Sequence, residues 1–261
     1  MAVARVGIVV PTIGNRESYL LQTLASIRAN ADVFILLIHS PEYNPSKSVL
    51  ELCDDAIVED KQGLPSAINF GIANLPKNCT YVSWLGDDDL LVENTVEILA
   101  ACLDVDPSLT FVYGGCTYID SAGKPIGSNQ SGTWAMKVIK FGPDLIPQPG
   151  SLFRRSSYEQ VGGVSTSYKF AFDHDLFLRL LRIGTGAYLD LIVSAFRWHP
   201  NSLSVSQRKF AVREASKIRL AHQHWLYRKL FLPWEILIRF LTLHAGNIVN
   251  LRIKLKKLFS E

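Results

Sequence analysis

Three aspartates in a row, Asp87-Asp88-Asp89, follow the apolar run Tyr81–Leu85 and stand out as the residues readiest to do chemistry. Carboxylates about 6 Å apart repel one another by roughly 2–3 kcal/mol at an effective dielectric near 20. A cation relieves that repulsion, and oxygen ligands suit Mg²⁺ or Mn²⁺, which bind one or two carboxylates together with phosphate oxygens. The rival reading is a solvated turn in which one aspartate caps the helix expected at Asn94–Leu103. Three carboxylates at the end of one strand favour the ion. A second cluster, Asp173-His174-Asp175, opens another apolar-periodic segment. Carboxylates in a helix's first turn are stabilised by its dipole, and one of them could equally take a proton from a hydroxyl. Arg197 and His199 close the last apolar run. Arg197 could face a phosphate, although an Arg or His at a strand end is also an ordinary structural residue.

Such groups need elements to hold them. Val6–Val10 and Val33–Ile38 are continuous apolar runs, as expected of strands covered on both faces. Between them Asn15 is placed to cap a helix with Leu20, Leu24 and Ile27 on one face. Ala56–Val58 predicts a third strand, Pro65 the start of a helix through Ala67, Ile68 and Ile72, and Tyr81–Leu85 a fourth strand. This alternation predicts an α/β protein, a mostly parallel sheet with helices on both faces. Ligands then bind beyond the carboxyl ends of the strands, where Pro11-Thr12, His39-Ser40-Pro41-Glu42 and Gly86 to Asp89 stand. Further on, Phe111–Ile119 reads as a strand entering a hairpin, and Pro147-Gln148-Pro149-Gly150 as a rigid loop. Asp173 starts a helix, and Tyr188–Trp198 is a last strand with Arg197 and His199 on one face. Neither G-x-G-x-x-G nor G-x-x-x-x-G-K-[ST] occurs, so a dinucleotide fold and a P-loop lack support.

Composition narrows the classes further. The 261 residues are 48% hydrophobic and 20% charged, which excludes intrinsic disorder and supplies an ample core. Four cysteines show no CxxC spacing, and the short N-terminal apolar run stops at Pro11. The expected compartment is therefore the cytoplasm. Charge is uneven: twelve Lys and Arg face three acidic residues from Gln207 onward, a net +9, leaving −6 on residues 1–206. An acidic body with a basic tail suggests two jobs.

The motifs also occur in an informative order. Val9-Val10-Pro11-Thr12 is followed by Gly63-Leu64, then Ala67-Ile68-Asn69-Phe70-Gly71 and Trp84-Leu85-Gly86-Asp87-Asp88-Asp89-Leu90. Gly150-Ser151-Leu152-Phe153-Arg154-Arg155, Gly162-Gly163, Phe172 to Leu180 and Arg197-Trp198-His199-Pro200-Asn201-Ser202-Leu203-Ser204 complete the series. Over about residues 5–205 the chain resembles the inverting family 2 glycosyltransferases of the GT-A fold, of the bacterial polysaccharide and O-antigen type. The resemblance implies a Rossmann-like catalytic domain at 1–206 and a helical basic extension at 207–261. It implies a nucleotide-diphosphate sugar as donor, a UDP-sugar first, and Mn²⁺ or Mg²⁺ as cofactor. Pro11, Thr12, Glu42 and Gly63 would bind the nucleotide. Asp87 and Asp88, with Arg197 and His199, would meet the diphosphate, and Asp88, Asp89 and His199 the metal. Asp173 would be the general base, and Gln148, Gly150, Ser151 and His174 would lie on the acceptor side. Phe172 stands where many members have Glu.

The tail falls outside the resemblance. A helix is expected from about Lys209 and a second segment from Pro233 through Trp234–Leu243. Ile248, Leu251, Leu255, Leu258 and Phe259 then sit at helical spacing among Arg252, Lys254, Lys256 and Lys257. Charges interrupt each stretch before it reaches the length of a spanning helix. The pattern fits an interfacial helix on an anionic membrane, hence a peripheral protein on the membrane's inner face acting on a lipid-linked saccharide. A helical cap packed on the catalytic domain is the alternative. Nothing reads a nucleic-acid groove, so no nucleic-acid partner is expected. Two rival functions remain open at this level: a metal-dependent nucleotidyltransferase, and a non-catalytic sugar-nucleotide-binding or membrane scaffold protein.

Overall fold

Alternate residues of the first strand serve two different apolar layers. In the computed structural model, which describes residues 5–60, 62–199, 207–225 and 231–244, β1 (Val6–Thr12) is buried along its whole length. Val9 packs with Leu36, Ile68, Val82 and Phe177. Val6, Ile8 and Val10 pack instead with Leu20, Leu24, Ile27 and Leu99. A strand with helices on each face has no polar side, so its sequence is an unbroken apolar run rather than an alternation. Helices α1 (Glu17–Arg28), α2 (Lys47–Leu52) and α4 (Val96–Val105) cover one face. Helices α3 (Leu64–Asn74) and α7 (Phe172–Ile183) cover the other.

The sheet begins with β3 (Asp55–Val58), β2 (Val33–His39), β1 and β4 (Tyr81–Trp84), parallel and in that order. It continues through β8 (Ser151–Arg154), antiparallel to both β4 and β6 (Leu109–Ile119). Strand β9 (Thr185–Arg197) runs parallel to β6, β5 (Leu90–Leu91) pairs antiparallel with β9, and β7 (Pro125–Asn129) hangs off β6. The α/β class expected from the sequence is the class observed. Strands β5 and β8 and the short helices α2, α5 (Trp134–Val138) and α6 (Arg155–Gln160) are additions to it. None is long enough to impose a period on the sequence.

Two expected helix starts move. Asn15 does not cap α1, which begins at Glu17 with Arg16 in the cap position and no side-chain cap. Helix α4 begins at Val96 rather than Asn94, whose φ of 60° places it in the left-handed region. Its buried first N–H groups are met by Asn30 Oδ1, which accepts from Thr95 N at 3.0 Å and Val96 N at 3.1 Å. No aspartate of the triplet is that cap.

Several motif residues serve the scaffold. Asn69 Oδ1 accepts from Val164 N and Tyr158 OH, and Asn69 Nδ2 donates to Val164 O. Gly163, at φ 70°, lets that loop approach; a Cβ there would strike Asn69. Arg154 donates to Leu103 O and Leu109 O, and Arg155 to Ile72 O and Pro76 O at the end of α3.

Past residue 206, α8 (Arg208–His222) packs on α7, where His222 Nε2 lies 2.9 Å from Asp175 Oδ1. Helix α9 (residues 231–244) is tied to α8 by Glu235, whose two oxygens accept from Arg219 Nε and Nη2 at 2.7 Å each, fully buried. Among the described residues no helix is long and apolar enough to cross a membrane. The amphipathic stretch expected at 248–259 and the motif residues 200–204 lie outside the described residues.

Candidate active site

A cavity of about 730 Å³ opens at the carboxyl ends of β1, β2 and β4. Thr12, His39, Ser40, Glu59 and Gly63 line it, as do Trp84, Asp144, Gln148, Phe172 and Asp173. All three aspartates of the triplet also line it. The parallel register Thr12↔His39 sets the ends of β1 and β2 side by side.

Thr12 Oγ1 donates to Asp87 Oδ2 at 2.6 Å, and the Arg16 guanidinium bridges Asp87 Oδ1 and Asp88 Oδ2. His199 Nε2 lies 2.8 Å from the same Asp88 oxygen. The pairing of Leu90 with Ala195 and Leu91 with Ser194 aligns the triplet with the end of β9 and so brings His199 to Asp88. Burial pushes the Asp87 carboxyl up and Asp88 adds to it, while Arg16 and Thr12 pull the other way. Burial, with repulsion from Asp88, raises Asp89 well above the usual carboxylate range. Asp89 Oδ1 accepts the backbone N–H of Arg197 at 3.0 Å.

Asp88 Oδ2 lies 2.8 Å from His199 Nε2 and also accepts from Arg16 Nη1 at 2.7 Å. Carboxylate and imidazole are donor types that suit Mn²⁺ or Mg²⁺ when phosphate oxygens and water complete the shell. Among the described residues no group of three or more His, Cys, Asp or Glu is arranged to hold an ion. Arg16 supplies the neutralising charge at the triplet.

On the far side, Asp173 Oδ1 accepts the N–H of His174 at 2.8 Å. Burial raises Asp173 to about 6, with a further push from Glu214. Glu214, on α8, accepts three consecutive N–H groups from Lys169, Phe170 and Ala171, at 2.9, 2.6 and 2.8 Å, and so fixes the entry to α7. Asp144 Oδ1 accepts from Ile146 N at 2.9 Å. Its Oδ2 is sealed from solvent without a hydrogen bond, a cost of about 1–3 kcal/mol if nothing meets it.

No family model matches the chain. An uncharacterized glycosyltransferase of Rickettsia felis is 24% identical over 209 residues, 74% of this chain and 34% of that protein. One from Rickettsia typhi is 24% identical over 197 residues, 71% of this chain and 61% of that protein. The chain thus spans about a third of the length of the first relative. S. aureus TarS 1-349 in complex with UDP superposes with a TM-score of 0.61 at 13% identity, over 87% of this chain and 69% of that one. The mannosyltransferase PcManGT from Pyrobaculum calidifontis, in complex with GDP-Man and Mn2+, gives a TM-score of 0.63 at 13% identity, over 100% of this chain and 81% of that one. The fold is one that glycosyltransferases use.

Of the residues singled out in the sequence, Pro11, Thr12, Gly63, Asp87, Asp88, Asp89, Gln148 and Asp173 line the cavity. Gln148 Nε2 also donates to Trp84 O at 2.8 Å. Others lie outside the lining. Glu42 is exposed. Gly150 and Ser151 are buried, and Ser151 Oγ donates to Pro147 O. His174 is buried with Nε2 2.9 Å from Ile139 O, and burial pushes its pKa down to about 4. Arg197 is fully buried; its guanidinium donates to Asp88 O and Gln22 Oε1 and stacks 4.4 Å from the Tyr19 ring. Sequence reasoning missed Arg16, Glu59 and Asp144. Glu59 was within reach, because it directly follows the third strand and the carboxyl-end rule applies there too. Arg16 and Asp144 carry no such signal.

Proposed function

We propose that the chain is an inverting glycosyltransferase that moves a hexose from a nucleoside diphosphate to a hydroxyl of a saccharide acceptor. The observation that carries this reading is one cavity lined by both Asp88, with His199 bonded behind it, and Asp173, whose carboxyl sits at about 6. The nucleotide would lie against Pro11, Thr12, Glu59 and Gly63, at the strand ends where open α/β sheets bind ligands. UDP is the first nucleotide to test, because TarS is described in complex with UDP; GDP is second, after PcManGT.

In the reaction, the acceptor O–H gives its proton to a carboxylate oxygen of Asp173. A carboxylate near 6 is ionised at neutral pH yet still basic enough to take that proton. The acceptor oxygen attacks the anomeric carbon as the bond to the diphosphate breaks on the opposite side, inverting the centre without a covalent enzyme intermediate. Asp88 and His199 would hold Mn²⁺ or Mg²⁺, whose charge offsets that developing on the leaving diphosphate. Trp84 and Phe172 give the cavity apolar walls that limit water.

In this reading the acceptor is lipid-linked and contributes to polysaccharide synthesis. Helix α9 leaves Leu232, Ile236, Leu237, Phe240 and Leu241 exposed, in a tail of net charge +9, the combination that favours an anionic membrane surface. Flotation with phosphatidylglycerol vesicles is expected to carry the wild-type chain and to leave Ile236→Glu/Phe240→Glu behind. Equal flotation of both would remove the membrane from the proposal.

The deciding experiment is calorimetric titration of UDP, GDP and TDP into the protein with and without Mn²⁺, followed by product analysis with the matching sugar nucleotides. Binding of one nucleotide strengthened by the metal, and an inverted product, are expected. Failure of every nucleotide under both conditions would overturn the reading and leave the scaffold alternative.

A further inference from the structure

Two side chains at the ends of β2 and β3 offer acceptors and no donor. The strands finish together: His39 pairs with Val58 in the parallel register, and Glu59 N donates to His39 O at 2.9 Å. His39 and Glu59 both line the cavity. His39 Nδ1 lies 3.1 Å from Ser40 O, and its ring stands edge-on to Tyr43 with 6.0 Å between centroids. A carbonyl oxygen only accepts, so Nδ1 carries the proton and Nε2 of the neutral ring keeps a lone pair. Glu59 Oε1 accepts from Gln62 N at 3.2 Å. Neither His39 Nε2 nor Glu59 Oε2 is bonded among the described residues, and neither is sealed from solvent.

Two acceptors on adjoining strand ends restrict what can lie against them. The Glu59 carboxylate repels a phosphate, whereas Arg16, a lining guanidinium, is held at the aspartate triplet. The charged end of a nucleotide therefore suits the triplet, and its base suits β2 and β3. Bases differ in the donors they can offer there. The Watson–Crick edge of uracil has one N–H between two carbonyl oxygens, and adenine and cytosine each have one amino group beside a bare ring nitrogen. Guanine has two neighbouring donors, N1–H and the 2-amino group.

We propose that the donor of this chain is a guanosine diphosphate sugar, with Glu59 Oε2 and His39 Nε2 taking the N1–H and 2-amino protons of the base between them. This rests on the glycosyltransferase reading and names the base of its donor. It reverses the order in which the titration above tries UDP and GDP. Uracil would satisfy one acceptor and set a carbonyl oxygen against the other, a mismatch that sites built on polar pairs reject strongly. Ser40 O acts through the imidazole: by holding the proton on Nδ1 it fixes the tautomer that accepts.

The test is calorimetry of the full chain with Mn²⁺ against GDP, IDP, UDP and ADP, where IDP is GDP without its 2-amino group. The wild type is expected to bind GDP about tenfold or more tighter than each of the others, a comparison that needs no variant. Glu59→Ala and His39→Ala should each weaken GDP about tenfold while UDP moves less than about threefold. The variant that removes the partner of the amino group should then bind GDP and IDP alike, since that pair is already broken. UDP bound more tightly than GDP by the wild type overturns the assignment and leaves the glycosyltransferase reading standing. So does an equal loss of GDP and UDP in both variants at normal Tm, which would make the two residues structural. A wild type that binds no nucleotide overturns the parent reading instead, and this one with it.

Discussion

The two sides of the cavity are held by different means. The proposed donor side stands on the ends of parallel strands: Thr12 closes β1, and the triplet follows β4 in the same sheet. The proposed acceptor side is a loop and the start of α7, gripped from behind by the C-terminal helices. Glu214 of α8 caps the approach to Asp173, and Arg219 holds Gly142 while pairing with Glu235 of α9. A sheet end is rigid because every strand neighbour fixes it, whereas a loop is as rigid as the donors that capture its carbonyls. The basic tail is thus part of the site's frame.

Four measurements would break or sharpen this contrast. The largest effect belongs to Asp173→Asn, expected to lower kcat by about 10²–10⁴-fold. In the wild type, kcat should fall as pH drops below about 6, the value to which burial raises this carboxyl. The same shift has a stability sign. A carboxyl raised above its unfolded value of about 3.9 favours the fold at low pH, and that contribution is lost as pH climbs through about 6. Asp173→Asn should therefore have a Tm at pH 8 no lower than the wild type; a marked drop would make Asp173 a structural residue.

Next comes Glu235→Ala, which strands the buried Arg219 charge and should cost about 3–5 kcal/mol in chemical denaturation. The apolar double variant Arg219→Met/Glu235→Leu should recover much of that stability. If the acceptor side depends on the tail, the double variant will still show a raised acceptor KM with donor affinity unchanged. Equal damage to both would erase the contrast.

Asp88→Ala is expected to weaken Mn²⁺-dependent nucleotide binding at least tenfold, about 1.4 kcal/mol, in calorimetry, with Tm nearly unchanged. Unaltered binding would remove Asp88 from the ion site. The smallest effect is Asn30→Ala, which uncaps α4 and should cost about 1 kcal/mol in thermal unfolding. Placed behind the donor side, it should spare acceptor KM.

The same division explains how much the sequence told. Its apolar runs marked β1, β2 and β4 because each strand is buried over most or all of its length, and burial is written residue by residue in side-chain type. The triplet was legible too, since it directly follows one of those runs. Asp173 was found as the first turn of a periodic helix.

What escaped was partnership. The sequence could not say that Arg16 neutralises Asp87 and Asp88, or that Asn30 caps a helix 65 residues on. Nor could it say that Asp144, in a proline-rich loop without periodicity, lines the cavity together with Asp173. Periodicity reports which face of an element is buried, and a motif reports which chemistry is at hand. Which distant group meets which carboxylate is set by strand order and by the packing of α8 and α9, so only the tertiary structure decided it.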